Sequence, residues 1–182
     1  MKFCSACGQQ VSLKVPPKDN RQRFVCDHCG TIHYQNPRIV VGSVPVYQDR
    51  VLLCLRAIEP RRNFWTLPAG FMENGETCDE GARRETHEEA CASIDNLQLY
   101  TLFDLPRISQ VYMFFRADLV AEEFSAGEES LDVGLFRYSD IPWRQLAFPV
   151  VAQTLEYYFA DREQGNYPVR SEVITRPYTQ KK

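Results

Sequence analysis

The stretch Gly70 to Ala92, GFMENGETCDEGARRETHEEACA, decides how the rest of the chain is read. Asn74-Gly75 is a turn dipeptide, Thr77 is a helix N-cap residue, and Glu80 stands where the reciprocal partner of a capping box belongs. The pattern predicts a helix from Cys78 to about Cys91. Asp79/Arg83 and Glu80/Arg84 have the i,i+4 spacing, acid first, that supports an exposed face. At about 100° per residue, Cys78, Gly81 and Ala82 share the opposite stripe with Glu85, Glu88 and Glu89. Carboxylates crowded on an inward face repel one another and lose hydration. A divalent cation offsets both costs, because oxygen ligands at i, i+3 and i+4 converge on one Mg²⁺ or Mn²⁺. The helix alone leaves the competing reading open, in which the glutamates form a solvated charged face.

Working outward, 182 residues suffice for one sizeable core, or one core plus a small module. With 44% hydrophobic and 25% charged residues the chain folds, and wholesale disorder or a low-complexity fibre is excluded. A net charge of -3 and a pI near 5.7 give no long-range attraction to phosphate polymers, so no nucleic-acid partner is expected. No apolar run approaches the roughly 20 residues of a membrane helix. Met1-Lys2-Phe3-Cys4 opens without the apolar stretch of a signal peptide, so the expectation is no membrane association and a cytoplasmic location.

Strands are predicted over residues 38–47 and 51–58, as a hairpin, and over 97–103, 108–120 and 131–138. Pro45 suggests an edge or a bulge in the first. Residues 149–163, with Pro149 leading and Val151, Leu155, Tyr158 and Phe159 at helical spacing, predict a second helix. The fold class is therefore mixed α/β (α+β). The polar segment from Gly165 reads as a tail that orders against a partner.

Seven cysteines, an odd number without an export signal, argue for reduced thiols. Four form two C-x-x-C pairs, Cys4/Cys7 and Cys26/Cys29, each followed by a glycine, with 18 residues between the pairs. Two such knuckles complete a tetrahedral thiolate site for Zn²⁺ with no open position, hence structural rather than catalytic. Residues 1–36 then make a zinc ribbon whose fold the metal supplies. Two redox-active pairs are the alternative. Cys54, in an apolar run, reads as core.

Gly70, five residues, Glu76, seven residues, Arg84-Glu85, two residues, Glu88-Glu89 has the spacing of the Nudix box, and the chain resembles the Nudix hydrolase superfamily on it. Thr86 stands where that pattern has an aliphatic residue, and Cys91 and Ala92 where it has glycine and an aliphatic residue, departures that bear on packing and helix termination. The resemblance implies an α/β/α sandwich with a mixed sheet over residues 37–164, between the ribbon at 1–36 and a tail at 165–182. It implies a pyrophosphohydrolase in which Glu85, Glu88 and Glu89 ligate Mg²⁺ or Mn²⁺ with the Gly70 carbonyl, Arg84 orients the carboxylates, and Glu76 lies further out. It also implies a glutamate on the loop before the Asp140-Ile141-Pro142 turn, which points to Glu129; an exposed loop acid beside Glu128 is the alternative.

Arg56 and Arg107 are candidates to hold substrate phosphates, against the plainer reading of ordinary surface arginines. Trp65, Tyr112 and Phe148 are candidates to stack on a ring, against core packing. A zinc ribbon ahead of a Nudix domain is similar to two branches, the NADH pyrophosphatases and the plant plastid FAD and ADP-ribose pyrophosphatase with its bacterial relatives. The segments LPRISQVYMFF and EESLDVGLFRYSDIPWRQLAF resemble the second. The expected substrate is therefore a small-molecule nucleoside diphosphate, FAD or ADP-ribose ahead of NADH, with a homodimer as the candidate assembly. A non-catalytic nucleotide sensor or nucleic-acid-binding module is the alternative from another class.

Overall fold

The computed structural model describes residues 1–175, which divide into one unit of Met1–Pro37 and a second that begins at Arg38. The first unit buries only Cys4, Pro16, Val25 and Cys26, too few side chains to form a core. Its strands β1 (Val11–Lys14), β2 (Arg23–Cys26) and β3 (Ile32–His33) form an antiparallel sheet in that order. The two knuckles are the same turn used twice. Gly8 and Gly30 both have φ of +73°, and their N–H groups bond the Cys4 and Cys26 carbonyls, each at 2.9 Å. All four sulfurs lie within 4.8 Å of one another, with Cys4–Cys29 at 3.7 Å and Cys7–Cys26 at 3.5 Å. A zinc tetrathiolate with bonds of about 2.3 Å has sulfur–sulfur edges of about 3.8 Å, so the cluster fits that ion. His33 Nε2 stands 3.3 Å from Cys4 Sγ, beside the four sulfurs rather than among them.

In the second unit β4 (Arg38–Tyr47), β5 (Arg50–Arg56), β6 (Trp65–Thr66), β7 (Ala69–Phe71), α1 (Cys78–Ala90), β8 (Ile94–Leu105), β9 (Gln110–Leu119), β10 (Ser130–Phe136), α2 (Pro149–Gln164) and β11 (Arg170–Val173) follow in sequence. The main path of the mixed sheet is β10-β5-β4-β9-β8-β11, with β4–β9 and β8–β11 parallel. Along β5 the side chains alternate between two cores: Val51 and Leu53 pack with α2 residues such as Leu155 and Tyr158, and Leu52 and Cys54 with Ala90 of α1. One helix thus covers each face, and a strand buried on both sides explains the unbroken apolar run in the sequence.

The β4–β5 ladder has only two rungs, Val46↔Val51 and Tyr47↔Arg50. It stops immediately before Pro45, which has no N–H for the next rung. Pro45 is neither on an edge nor in a bulge; it lies in a central strand, in register with Ala117 of β9, and what it interrupts is the pairing on the other side. Below it β4 and β5 separate, and β7 pairs with β4 while β6 pairs with β5. The tail also differs from expectation. Residues 170–173 form the edge strand β11 on the chain's own β8, held by Arg170 on the buried Asp161 of α2 and by Tyr100, whose hydroxyl donates to Asp161 at 2.6 Å. Residues 176–182, the remainder of the predicted tail, lie outside the described residues.

α1 begins at Thr77 with the capping box complete and ends with Cys91 in the left-handed region at φ of 48°. Cysteine there supplies the helix end that glycine usually makes, at some steric cost. Thr86 is fully buried and does not lack a partner. Its hydroxyl meets Ser43 Oγ of β4 at 2.7 Å and the Ala82 carbonyl at 2.7 Å.

Two outcomes are expected. Purified protein should carry about one zinc per chain by metal analysis, and Cys26→Ser should lose it. Thr86→Val should cost about 1–3 kcal/mol in denaturant unfolding, because it strands the buried Ser43 hydroxyl, and Ser43→Ala in the same chain should restore much of that loss.

Candidate active site

The 71–76 turn and the first turns of α1 are tied together by one side chain. Arg84 binds Glu76 through two nitrogens, Nε to Oε2 at 3.0 Å and Nη2 to Oε1 at 2.9 Å. Its Nη1 reaches Glu85 at 2.7 Å and Glu88 at 2.9 Å, and Nη2 also donates to the Phe71 carbonyl at 3.2 Å. The expected exposed pairs do not form. Glu80 is occupied by the capping box, Asp79 accepts from the Thr77 hydroxyl, and Arg83 turns to Asp95 at 3.2 Å. Local capping and a tertiary partner outcompete pairs that contribute only about 0.2–0.5 kcal/mol each. The Arg84 guanidinium holds the Glu76 carboxyl at about 2, well below the usual range, with the Glu73 N–H assisting.

The inward stripe of α1 is Gly81, Ala82, Glu85, Thr86, Glu89 and Ala90. Glu88, 100° from Glu89, stands exposed at its edge rather than inside it. Glu85 and Glu89 are 9% and 5% exposed. Burial raises the Glu85 carboxyl and Arg84 opposes the rise. Burial, then the charge of Glu85, pushes Glu89 up to about 8, with Arg56 opposing and Glu129 adding to the rise. Glu89 Oε2 is buried with no hydrogen-bond partner among the described residues. A buried, ionisable oxygen in that state calls for a cation.

Gly70 of β7 faces the same carboxylates. A Cβ there would meet both Glu85 oxygens at 2.3 Å, so any other residue would have to push the Glu85 carboxylate aside. Gly127 works likewise at the other end of α1, where a Cβ would fall 1.7 Å from the Glu88 carbonyl oxygen. Its N–H and that of Ser125 cap α1 through Glu89 O at 3.1 Å and Ala90 O at 2.9 Å. That loop brings exposed Glu129 close enough for its charge to raise both Glu85 and Glu89. Glu128 also borders the cavity, but its charge is not among the main influences on either buried carboxylate.

These groups open on a cavity of about 1390 Å³. The structure brings Gly70, Arg84, Glu85, Glu88, Glu89, Glu129, Arg56 and Arg107 to its walls. Arg56 is buried, donates from Nε to the Pro60 carbonyl at 3.0 Å, and lies 5.2 Å over the Phe148 ring. Arg107 is exposed in the turn between β8 and β9. Of the three candidate stacking residues, Tyr112 and Phe148 line the cavity. Trp65 does not; it packs edge-on against Phe136 with centroids 4.8 Å apart. Phe148 already offers a face to Arg56. Sequence reading missed Arg38, Phe71, Gln110 and Ile174 on these walls; Arg38 and Phe71 carry a signal only in three dimensions, as a guanidinium 4.5 Å over an exposed ring.

The donor set fits hard divalent ions: carboxylate oxygens, one orphaned and buried, beside a backbone that a side chain would close off. Among the described residues no helix is long and apolar enough to cross a membrane.

Residues 2–35 match the family model described as Nudix N-terminal, a zinc ribbon, and residues 36–159 match the NUDIX domain model. A solved Nudix hydrolase from Nitrosomonas europaea is 50% identical, with a TM-score of 0.92 over 96% of this chain and 99% of that one. An ADP-ribose pyrophosphatase from Streptococcus suis shares the fold at 19% identity, with a TM-score of 0.62 over 75% of this chain and 99% of the other. Among curated proteins, the NAD-capped RNA hydrolase NudC of Salmonella heidelberg is 29% identical over 149 residues, 78% of this chain and 53% of that protein. The chain thus spans about half the length of the curated relatives it matches.

Glu89→Gln separates the chemistry of this site from its effect on stability. The native carboxyl at about 8 lies above its ordinary 4.5, so the native state binds this proton more tightly than the unfolded chain does. Metal-free protein therefore loses stability as pH rises from about 4.5 to about 8. In chelator at pH 9, Glu89→Gln should be more stable than the parent by on the order of 1–3 kcal/mol in thermal unfolding. Its metal-dependent turnover should be lower by at least about two orders of magnitude.

Proposed function

The chain belongs to the Nudix family, with a zinc ribbon preceding the catalytic domain, and from that premise we propose that it is a metal-dependent pyrophosphohydrolase. Its substrate is an adenine dinucleotide or a nucleoside diphosphate sugar, FAD or ADP-ribose ahead of NADH. The observation that carries this reading is the orphaned, buried Glu89 carboxylate, set beside Glu85 and Gly70 in the wall of a cavity large enough for a dinucleotide.

Glu85, Glu88 and Glu89, with the Gly70 carbonyl, are the groups that would hold Mg²⁺ or Mn²⁺. The cation supplies Lewis acidity at the diphosphate and neutralises the leaving phosphate. Arg84 keeps the carboxylates in place by its bonds to Glu85 and Glu88, and Glu76 in turn fixes Arg84 through two of its nitrogens. Glu129, on the exposed loop over the buried pair, accepts the proton of the attacking water. Arg56 spends its Nε on Pro60 and keeps the guanidinium beside the cavity, where its remaining donors meet phosphate oxygens. Arg107 meets the substrate from the rim. Water adds to one phosphorus and the bridging P–O bond breaks, giving AMP with FMN from FAD, or AMP with ribose 5-phosphate from ADP-ribose.

A second reading has its own support. The curated relatives are named as NAD-capped RNA hydrolases, which puts a nicotinamide dinucleotide, free or at an RNA end, among the candidates. The segments that favour FAD and ADP-ribose include Leu105, Arg107 and Phe148, all on the cavity wall. Homodimerisation and a cytoplasmic location belong to this proposal as well.

Product analysis with FAD, ADP-ribose, NADH and an NAD-capped oligonucleotide, each with Mg²⁺ and with Mn²⁺, tests the reading. FAD or ADP-ribose should give the highest kcat/KM. A tenfold preference for either nicotinamide substrate, about 1.4 kcal/mol in transition-state binding, would reverse the substrate order and leave the hydrolytic chemistry standing. No hydrolysis of any of the four would remove the reading itself.

A further inference from the structure

The floor of the cavity is a row of residues in register across four strands. Arg38 of β4 pairs with Gln110 of β9, and Gln110 pairs with Leu105 of β8. The row does not end there, because β11 runs parallel to β8 and the Ile174 N–H bonds the Asp104 carbonyl at 2.9 Å, which seats Ile174 beside Leu105. All four line the cavity, as does Tyr112, two residues along β9 on the same face. At about 4.8 Å per strand the floor runs about 14 Å from Arg38 to Ile174. Its far part, Leu105, Tyr112 and Ile174, is apolar and partly exposed.

β11 is not a loose terminus. Asp161 of α2, 4% exposed, accepts from both Nη groups of Arg170, with Nη2–Oδ1 at 2.6 Å, and from the Tyr100 hydroxyl. Arg170 also lies 4.5 Å over the Tyr157 ring, and the Tyr157 hydroxyl donates to Glu172. A doubly bonded ion pair to a buried carboxylate adds to the ladder with β8 in holding this four-residue strand on the sheet. The ion pair lies on the strand and Ile174, on the cavity wall, lies just past its end.

We infer that the C-terminal strand completes the substrate site: Ile174 is a binding residue against which a planar heteroaromatic ring of the substrate lies, and Arg170 with Asp161 is the lock that positions it. The inference deepens the pyrophosphohydrolase reading and rests on it for the identity of the substrate. An apolar sheet surface suits a flat ring better than a ribose hydroxyl face, because the ring's faces need no hydrogen bonds. The ring is the adenine or the isoalloxazine, and the two are separable by experiment.

Binding of AMP, by calorimetry, and of FMN, by flavin fluorescence, is measured in chelator on the full chain, so that no turnover intervenes. Ile174→Ala should weaken one of them about five- to tenfold, AMP if the ring is adenine and FMN if it is isoalloxazine, and Ile174→Leu should restore most of it. Arg170→Ala should weaken the same ligand, and Arg170→Lys should recover part of the loss. In hydrolysis the matching change is a raised KM at unaltered kcat, for both FAD and ADP-ribose in the first case and for FAD alone in the second. Unchanged binding of both ligands in Ile174→Ala, or a fall confined to kcat, would overturn the inference. If the parent hydrolyses FAD or ADP-ribose and Ile174→Ala behaves like it, the inference fails and the hydrolase reading stands. If nothing is hydrolysed yet Ile174→Ala weakens AMP or FMN, the reverse holds.

Discussion

Arg84 is the constraint on which the catalytic half of the molecule depends. One guanidinium joins Glu76 from the turn, Glu85 and Glu88 from α1, and the Phe71 carbonyl from the end of β7. Each acceptor lies on a different part of the 71–88 segment, so a single rigid fork sets the path of the turn, the roll of the helix and the direction of two carboxylates. Lysine has the charge but not the geometry. The arrangement also explains why Glu76, so far along the chain from the buried pair, belongs to the same site: it binds Arg84 through two of its nitrogens.

The site is held against its own preferences. Glu85 and Glu89 are buried side by side, their carboxyls pushed upward, and one Glu89 oxygen has no partner among the described residues. Gly70 lets β7 come up against the Glu85 carboxylate, and Gly127 lets its loop come up against the Glu88 carbonyl at the end of α1. Buried carboxylates of this kind persist only where the surroundings hold them. Here the enforcement comes from β7 on one side and the 125–130 loop on the other, both bonded to fixed backbone.

The candidate catalytic and metal-binding residues were legible because their spacing is local. The capping box, the 84–89 carboxylates and the paired cysteine knuckles are each contained within a few turns of chain, so period and cap rules reach them. What stayed hidden is non-local. Arg38 and Ile174 reach the cavity through strand register, and β11 is a strand whose sequence, Arg170 to Val173, reads as a polar tail. Glu80 and Arg84 looked like a surface pair because i,i+4 spacing says nothing of Glu76, eight residues back, which wins Arg84 with two hydrogen bonds. Thr86 looked like a departure from the box, and the Ser43 hydroxyl opposite it, on another strand, makes it a matched buried pair.

The break in the sheet then accounts for how one cavity draws on helices from opposite faces. α1 packs on one side of β5 and α2 on the other, yet Glu85 and Glu89 share walls with Phe148, Val150 and Val151. A continuous sheet would keep them apart. Pro45 ends the β4–β5 ladder, the two strands part, and β7 enters the gap, carrying Ala69 and Gly70. Gly70 faces Glu85, so the acids of α1 meet the sheet where its pairing has opened. Alternation does the rest: Val41 turns toward Gly81 of α1, while Val40, the next residue along, joins the cavity wall. A proline whose sequence position suggests an edge or a bulge thus acts in the centre, and the ladder it ends makes room for β7 beside the candidate site.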